Sequence, residues 1–245
     1  GAASGIGRAT ADLFYNAGWR VGLFDIAESP LLEMARTYDR ERCRIQVVDV
    51  TQADQVEKAF AQFMQGIGQL DVLFNCAGVL EIGDFETIPL QRHHQILDIN
   101  NKGVLNCSYL ALPYLKNAPG ARVINMSSAS SLYGIPGLTS YSASKFWVKG
   151  FTEALNMEWS RYGIHVSDVE PPFVKTPMLN GKQAKIIDRM GVNLAAGDIA
   201  HAVLAAASDE AIHHPVSGQY KAMRTLRKYL PDAATRTLIK LMSGY

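Results

Sequence analysis

Tyr141 and Lys145 stand four residues apart in Tyr141-Ser142-Ala143-Ser144-Lys145, thirteen residues after Ser128. On a helix this spacing puts both side chains on one face, where an ammonium lowers the pKa of a phenol. A phenol with a pKa of about 10 is a poor base at neutral pH, and lowering it by about three units takes roughly 4 kcal/mol. One cation at about 4 Å, at an effective dielectric near 20, supplies that much. With its pKa so lowered, the phenol can serve as a base at neutral pH. Ten tyrosines and eleven lysines in 245 positions give about 0.4 such pairs by chance. The surroundings therefore decide.

Gly1-Ala2-Ala3-Ser4-Gly5-Ile6-Gly7 runs into a stretch with helical apolar spacing at 6, 9, 13 and 14. A glycine-rich turn that opens a helix offers unpaired N–H groups and the positive end of a dipole to a pyrophosphate. Arg20 to Phe24 reads as a strand ending in Asp25, eighteen residues after Gly7, about where an acid holds the ribose hydroxyls of NAD. Asp25 as a loop or cap residue is the competing reading.

The glycines at 1, 5 and 7, Asn75-Cys76-Ala77-Gly78, Asn100, Ser128 and Tyr141-x-x-x-Lys145, in that order and spacing, resemble the short-chain dehydrogenase/reductase family over residues 1 to about 180. The resemblance implies a catalytic tetrad of Asn100, Ser128, Tyr141 and Lys145. It also implies a cofactor site made of Gly1, Ser4, Gly5, Ile6 and Gly7, of Asp25 with Ile26, and of Asp49 with Val50 beside the adenine. Asn75, Ala77 and Gly78 belong to the turn beside the cofactor, with Asn75 alternatively a tie between strands. Pro171, Val174 and Thr176 match the segment at the nicotinamide end. Lys145 would also bind the nicotinamide ribose, and Asn100 would hold a water linking Lys145 to solvent. Where the family has Pro-Gly, this chain has Pro171-Pro172, which removes a backbone donor and restricts the preceding residue. The family also places a strand and a threonine before the first glycine, in the middle of the sheet. The expectation is that the natural chain starts before Gly1.

With 48% hydrophobic residues, 245 positions can bury the core of one large α/β domain. A net charge of +1 without a basic run argues against a nucleic-acid surface. No apolar stretch reaches the length of a membrane span. Cys43, Cys76 and Cys107 lack metal-ligand spacing and read as reduced thiols of a cytoplasmic protein. His93-His94 occupy adjacent helix positions that point apart, so no metal site is expected.

Apolar runs at 44–48, 70–74, 122–126 and 165–169 alternate with helical patterns. That alternation predicts a Rossmann-like, doubly wound parallel sheet in a three-layer αβα single domain. Residues 1–222 would form the dinucleotide-binding catalytic domain and 223–245 an amphipathic helical extension of it. Long helices at about 91–116 and 139–161 correspond to those that build homodimers or homotetramers in the family, with Phe146, Trp147, Phe151 and Leu155 as outward candidates. The basic, amphipathic segments 223–230 and 235–242 suit a lid, a subunit contact, a peripheral membrane helix or plain packing on the core. Residues 178–193, with Gly181 and Gly191 and little periodicity, read as a loop that closes over substrate. Leu80, Leu132, Ile135, Leu138, Phe173, Met178 and Leu179 are candidate pocket walls and point to an apolar alcohol or ketone. The function expected is hydride transfer between NAD, rather than NADP, and a secondary alcohol or ketone. The alternatives are a non-catalytic dinucleotide-binding redox sensor and, disfavoured by glycine spacing, a sugar epimerase or dehydratase.

Overall fold

The computed structural model describes residues 1–245. Strands and helices alternate from the start: α1 (Gly5–Asn16), β1 (Val21–Asp25), α2 (Glu28–Ala35), β2 (Cys43–Val47), α3 (Ala53–Met64) and β3 (Val72–Asn75). There follow α4 (Leu90–Leu97), α5 (Gly103–Leu115), β4 (Arg122–Met126), α6 (Thr139–Trp159) and β5 (His165–Glu170). The chain then passes through β6 (Val174–Lys175), α7 (Lys185–Met190), β7 (Leu194–Ala195), α8 (Ala196–Ala206), β8 (His213–Pro215), α9 (Gly218–Arg227) and α10 (Asp232–Ser243).

All pairings are parallel, β1 with β2 on one side and β3, β4, β5 and β8 in that order on the other. The two-residue strands β6 and β7 pair separately. Side chains of β4 and β5 alternate between two cores, as the period of two requires. Val123 and Val166 join a cluster with α3 and α5, whereas Ile124, Met126 and Val169 join one with α1, α2 and α8. Helices cover both faces, which makes the molecule a Rossmann-like three-layer α/β domain.

Strand β1 pairs only with β2, and β3 only with β4. Between them lies an apolar slot of about 490 Å³ whose walls include Val21–Phe24, Val72–Phe74, Phe60 and Phe63.

The helix expected at 91–116 is interrupted. Asp98–Lys102 forms a π-helical turn between α4 and α5 and carries Asn100. Helix α6 matches its expected start and ends in a 3₁₀ turn, Ser160–Tyr162. The presumed loop 178–193 contains helix α7, whose Ile186, Ile187 and Met190 are buried. Helix α9 spans positions 222 and 223.

Candidate active site

The turn at Gly1–Gly7 is built of backbone at close quarters. Ser4 is the N-cap of α1 without a side-chain cap, and the first intrahelical bond runs from the Arg8 amide to the Ser4 carbonyl, 3.1 Å. The amides of Gly5, Ile6 and Gly7 are thus without helical partners, at the positive end of the dipole. A Cβ on Gly7 would lie 1.8 Å from the Gly1 carbonyl oxygen, and one on Gly1 would lie 2.8 Å from the Ala77 nitrogen. These positions need glycine because the turn folds onto itself and onto the Asn75–Gly78 turn. The Thr176 side chain lies 3.4 Å from where a Gly5 Cβ would stand, which brings the Pro171–Thr176 segment to the start of α1.

Asp25 ends β1 and accepts the amides of Ala3 and Ala27, both at 2.9 Å. Burial pushes its carboxyl up, and the hydrogen bonds from the Ala27 and Ala3 amides pull it the other way. The carboxylate thereby ties the glycine turn to the strand end, and each oxygen retains a second acceptor site. Ile26 beside it is exposed. Asp49, just past β2, accepts the Thr51 amide at 2.9 Å, and Val50 packs where a Cβ on Gly103 would clash. Three free amides, a glycine-lined approach and an acid at the strand end together fit a dinucleotide.

Asn75 is buried and donates to Ser108 Oγ at 3.1 Å and to Asn125 Oδ1 at 2.8 Å. Its side chain ties β3 to β4 and α5, as the strand-tie alternative expects.

Ser128 follows β4, and its Oγ accepts the Ser130 amide at 3.2 Å. Tyr141 and Lys145 lie one turn apart on α6, facing Ser128 in one cavity. Asn100, fully buried in the π-helical turn, accepts the Val79 amide at 2.8 Å and donates to Ser144 Oγ at 3.0 Å. Ser144 in turn donates to the Tyr141 carbonyl at 2.7 Å. Asn100 therefore clamps the Tyr141–Lys145 turn of helix. Such π turns recur at functional sites because they re-aim one side chain within a helix.

The electrostatics correct one expectation. Burial pushes the Tyr141 phenol above its ordinary pKa, while the neighbouring Ser128 hydroxyl acts the other way. Lys145 does not offset this. Its ammonium donates to the Met126 carbonyl at 2.8 Å, and burial lowers its own pKa to about 8. The i,i+4 spacing brings the two groups to one face, with the cation 5.5 Å from the centroid of the Tyr141 ring and its hydrogen bond given to the end of β4.

The cavity, about 170 Å³, joins Ser128, Tyr141 and Lys145 to an apolar end. Leu80, Ile135, Phe173, Met178 and Leu179 line it as expected, while Leu132 and Leu138 do not. The residues missed are Ile186 and Met190 of α7, Met223 of α9, and Ile239 and Met242 of α10. The apolar period of residues 235–242 was a signal for the last two, but nothing local pointed it to this cavity.

A buried charge cluster was missed as well. Glu170, at the end of β5, accepts from Lys149 at 2.9 Å, lies 3.5 Å from Arg224 and accepts from the Tyr220 hydroxyl at 3.3 Å. It anchors α9 next to the Pro171–Thr176 segment. His213 bridges Asp168 and Glu153 nearby, at 3.0 and 3.1 Å. His93 bonds Ser140 Oγ and the Phe85 carbonyl with its two ring nitrogens, and so holds α4 to the start of α6.

The family model described as short chain dehydrogenase matches residues 1–186. A 3-oxoacyl-(acyl-carrier-protein) reductase of Thermotoga maritima is 31% identical over 89% of this chain and 92% of its own. An NAD-dependent glycerol dehydrogenase of Listeria innocua is 32% identical over 75% of this chain and 71% of its own. The crystal structure of a 3-ketoacyl-(acyl-carrier-protein) reductase from Brucella melitensis complexed with NADH superposes with a TM-score of 0.80 at 25% identity, covering 89% of this chain and 94% of that one.

Proposed function

This chain belongs to the short chain dehydrogenase family of oxidoreductases, and we propose that it transfers a hydride between NAD and an apolar secondary alcohol or ketone. The observation that carries the reading is the convergence of Ser128, Tyr141 and Lys145 with the free-amide turn on one cavity whose far end is wholly apolar.

When bound, the nicotinamide accepts or returns the hydride. Tyr141 Oη takes the hydroxyl proton in oxidation and gives it back in reduction. The Ser128 hydroxyl donates to the substrate oxygen as charge develops there. Lys145, fixed by the Met126 carbonyl, would hold the ribose, and Asn100 keeps the Tyr141 turn in place through Ser144. Asp25 sets the preference for NAD, because a carboxylate repels a 2′-phosphate. Residues 223–245 act as a helical extension of the catalytic domain and roof its substrate end. Leu97 on α4, Leu105 and Tyr109 on α5 and Phe146, Trp147 and Met157 on α6 are exposed, which supports a homo-oligomer through these helices.

Tyr141→Phe separates an enzyme from a dinucleotide sensor, which needs no ionisable group in the cavity. Turnover across a panel of alcohols should fall by about three orders of magnitude or more, with NAD affinity within a few fold. Full turnover in this variant sinks the mechanism.

A further inference from the structure

The charge of this chain is unevenly distributed. Residues 218–245 hold six of its 24 lysines and arginines against one of its 23 acids, so the preceding 217 residues carry eighteen bases against 22 acids. Two of the six are committed, Arg224 to Glu170 and Arg227 to Asp232. Lys221, Lys228, Arg236 and Lys240 are exposed and have no acidic partner. Interleaved with them are exposed apolar side chains: Leu226, Tyr229 at 80% exposure, Leu238 and Leu241 at 67%.

Helix α10 divides these groups by face. Thr235, Ile239 and Ser243 are buried, and Ile239 and Met242 look into the cavity that holds Tyr141. At 100° per residue, positions 237, 238, 240 and 241 fall on the side away from Ile239. One twelve-residue helix thus roofs an apolar cavity with its inner face and turns Leu238, Leu241 and Lys240 outward, with the exposed Arg236 at the margin.

We infer that the outward side of α10, with the exposed side chains of α9 and of the turn that leads into α10, is a docking surface for an anionic lipid membrane. Exposed leucines and a tyrosine suit the boundary between headgroups and acyl chains, and the unpaired cations suit anionic headgroups. Each Lys or Arg near such a surface strengthens binding about fivefold. A nucleic acid would not use the leucines, and a second copy of this chain would meet the same positive charge on itself. Docking would set the roof of the cavity against the phase in which an apolar alcohol or ketone dissolves. That purpose rests on the proposed substrate class; the surface itself does not.

The test is co-sedimentation of the whole protein with vesicles of phosphatidylcholine alone or mixed with phosphatidylglycerol, which reads binding without turnover. The protein should bind the mixed vesicles and be released by salt, and neutral vesicles should retain little. Lys228→Glu/Arg236→Glu/Lys240→Glu should lower partitioning on the order of a hundredfold or more, and Leu241→Gln a few fold, both with unchanged melting temperature. Arg40→Glu, remote from α9 and α10, should change nothing. No binding to mixed vesicles, equal binding to neutral ones, equal loss in Arg40→Glu, or a change in oligomeric mass in place of vesicle binding would each overturn the inference. Vesicle binding with no turnover of any alcohol would leave the surface standing and remove the proposed substrate class.

Discussion

At the cofactor end of the cleft, backbone meets backbone: Gly7 against the Gly1 carbonyl, Gly1 against Ala77, and free amides at the start of α1. At the substrate end, flexible side chains from α7, α9 and α10 meet across a cavity, three of them methionines, Met190, Met223 and Met242. A ligand held by amides needs atoms at fixed places, and only glycine leaves room for them. A ligand held by apolar contact needs volume and little else, and methionine adapts to fill it. One end should therefore break on a single methyl group while the other absorbs larger changes.

The sharpest way to break that contrast is Gly7→Ala. Its Cβ would fall 1.8 Å from the Gly1 carbonyl, so the turn must open. NAD affinity by calorimetry should fall by two orders of magnitude or more while the fold, read by circular dichroism, persists. Retained affinity would mean that the turn is not the phosphate site.

Lys145 sits between the two ends, and its burial carries a pH signature. Its folded pKa of about 8 lies below the ordinary 10.5, so from pH 8 to 10 the unfolded chain holds a proton that the folded chain has lost. Stability contributed by this residue therefore rises with pH across that window, by up to about 3 kcal/mol. Tyr141 acts with the opposite sign above pH 10, where the unfolded phenol ionises first. The thiols of Cys43, Cys76 and Cys107, pushed up by burial, act with the opposite sign in the same window in both proteins. The change in urea midpoint from pH 7.5 to 9.5 should therefore be more positive in the parent than in Lys145→Met. Equal divergence in both proteins would assign the titration to another group.

The legibility of the chain follows the same division. The Gly1–Gly7 turn, Asp25 and the Tyr141–Lys145 spacing were readable because each is a local pattern forced by local geometry. Helix α7 lies where the sequence predicts a loop, because six residues between glycines give too short a period to detect. The π-helical turn at Asn100 leaves no mark in composition, since it adds one residue to a turn without changing residue type. Glu170 reads as one more strand residue until Lys149 of α6 and Tyr220 and Arg224 of α9 arrive from two helices. The phenol pKa failed for a related reason. Spacing fixes which face Lys145 occupies but not that its ammonium, 5.5 Å from the Tyr141 ring centroid, donates to the Met126 carbonyl.

A smaller effect tests Asp25. Asp25→Ala removes a negative charge from the ribose position and also the tie to the amides of Ala3 and Ala27. NAD should bind the parent at least about tenfold better than NADP, and the variant should narrow that gap chiefly by weakening NAD. Calorimetry showing equal or tighter NADP binding in the parent overturns the assignment. A melting temperature lowered without any change of the ratio would reduce Asp25 to a structural clasp.

The smallest effects belong to the apolar end, where adaptability spreads the contact over many side chains. Met242→Ala and Met223→Ala each remove one wall of a cavity lined from several other elements, and both residues are only partly buried. Each should raise KM for the best alcohol of the panel by roughly two- to tenfold, the scale of a lost methylene or two, with kcat and NAD affinity unchanged. A fall in kcat at constant KM would mean that α9 and α10 position Tyr141 or Ser128 in addition to roofing the cavity. The contrast between the two ends would then fail, because the side-chain-built end would be holding reacting atoms as tightly as the backbone-built one.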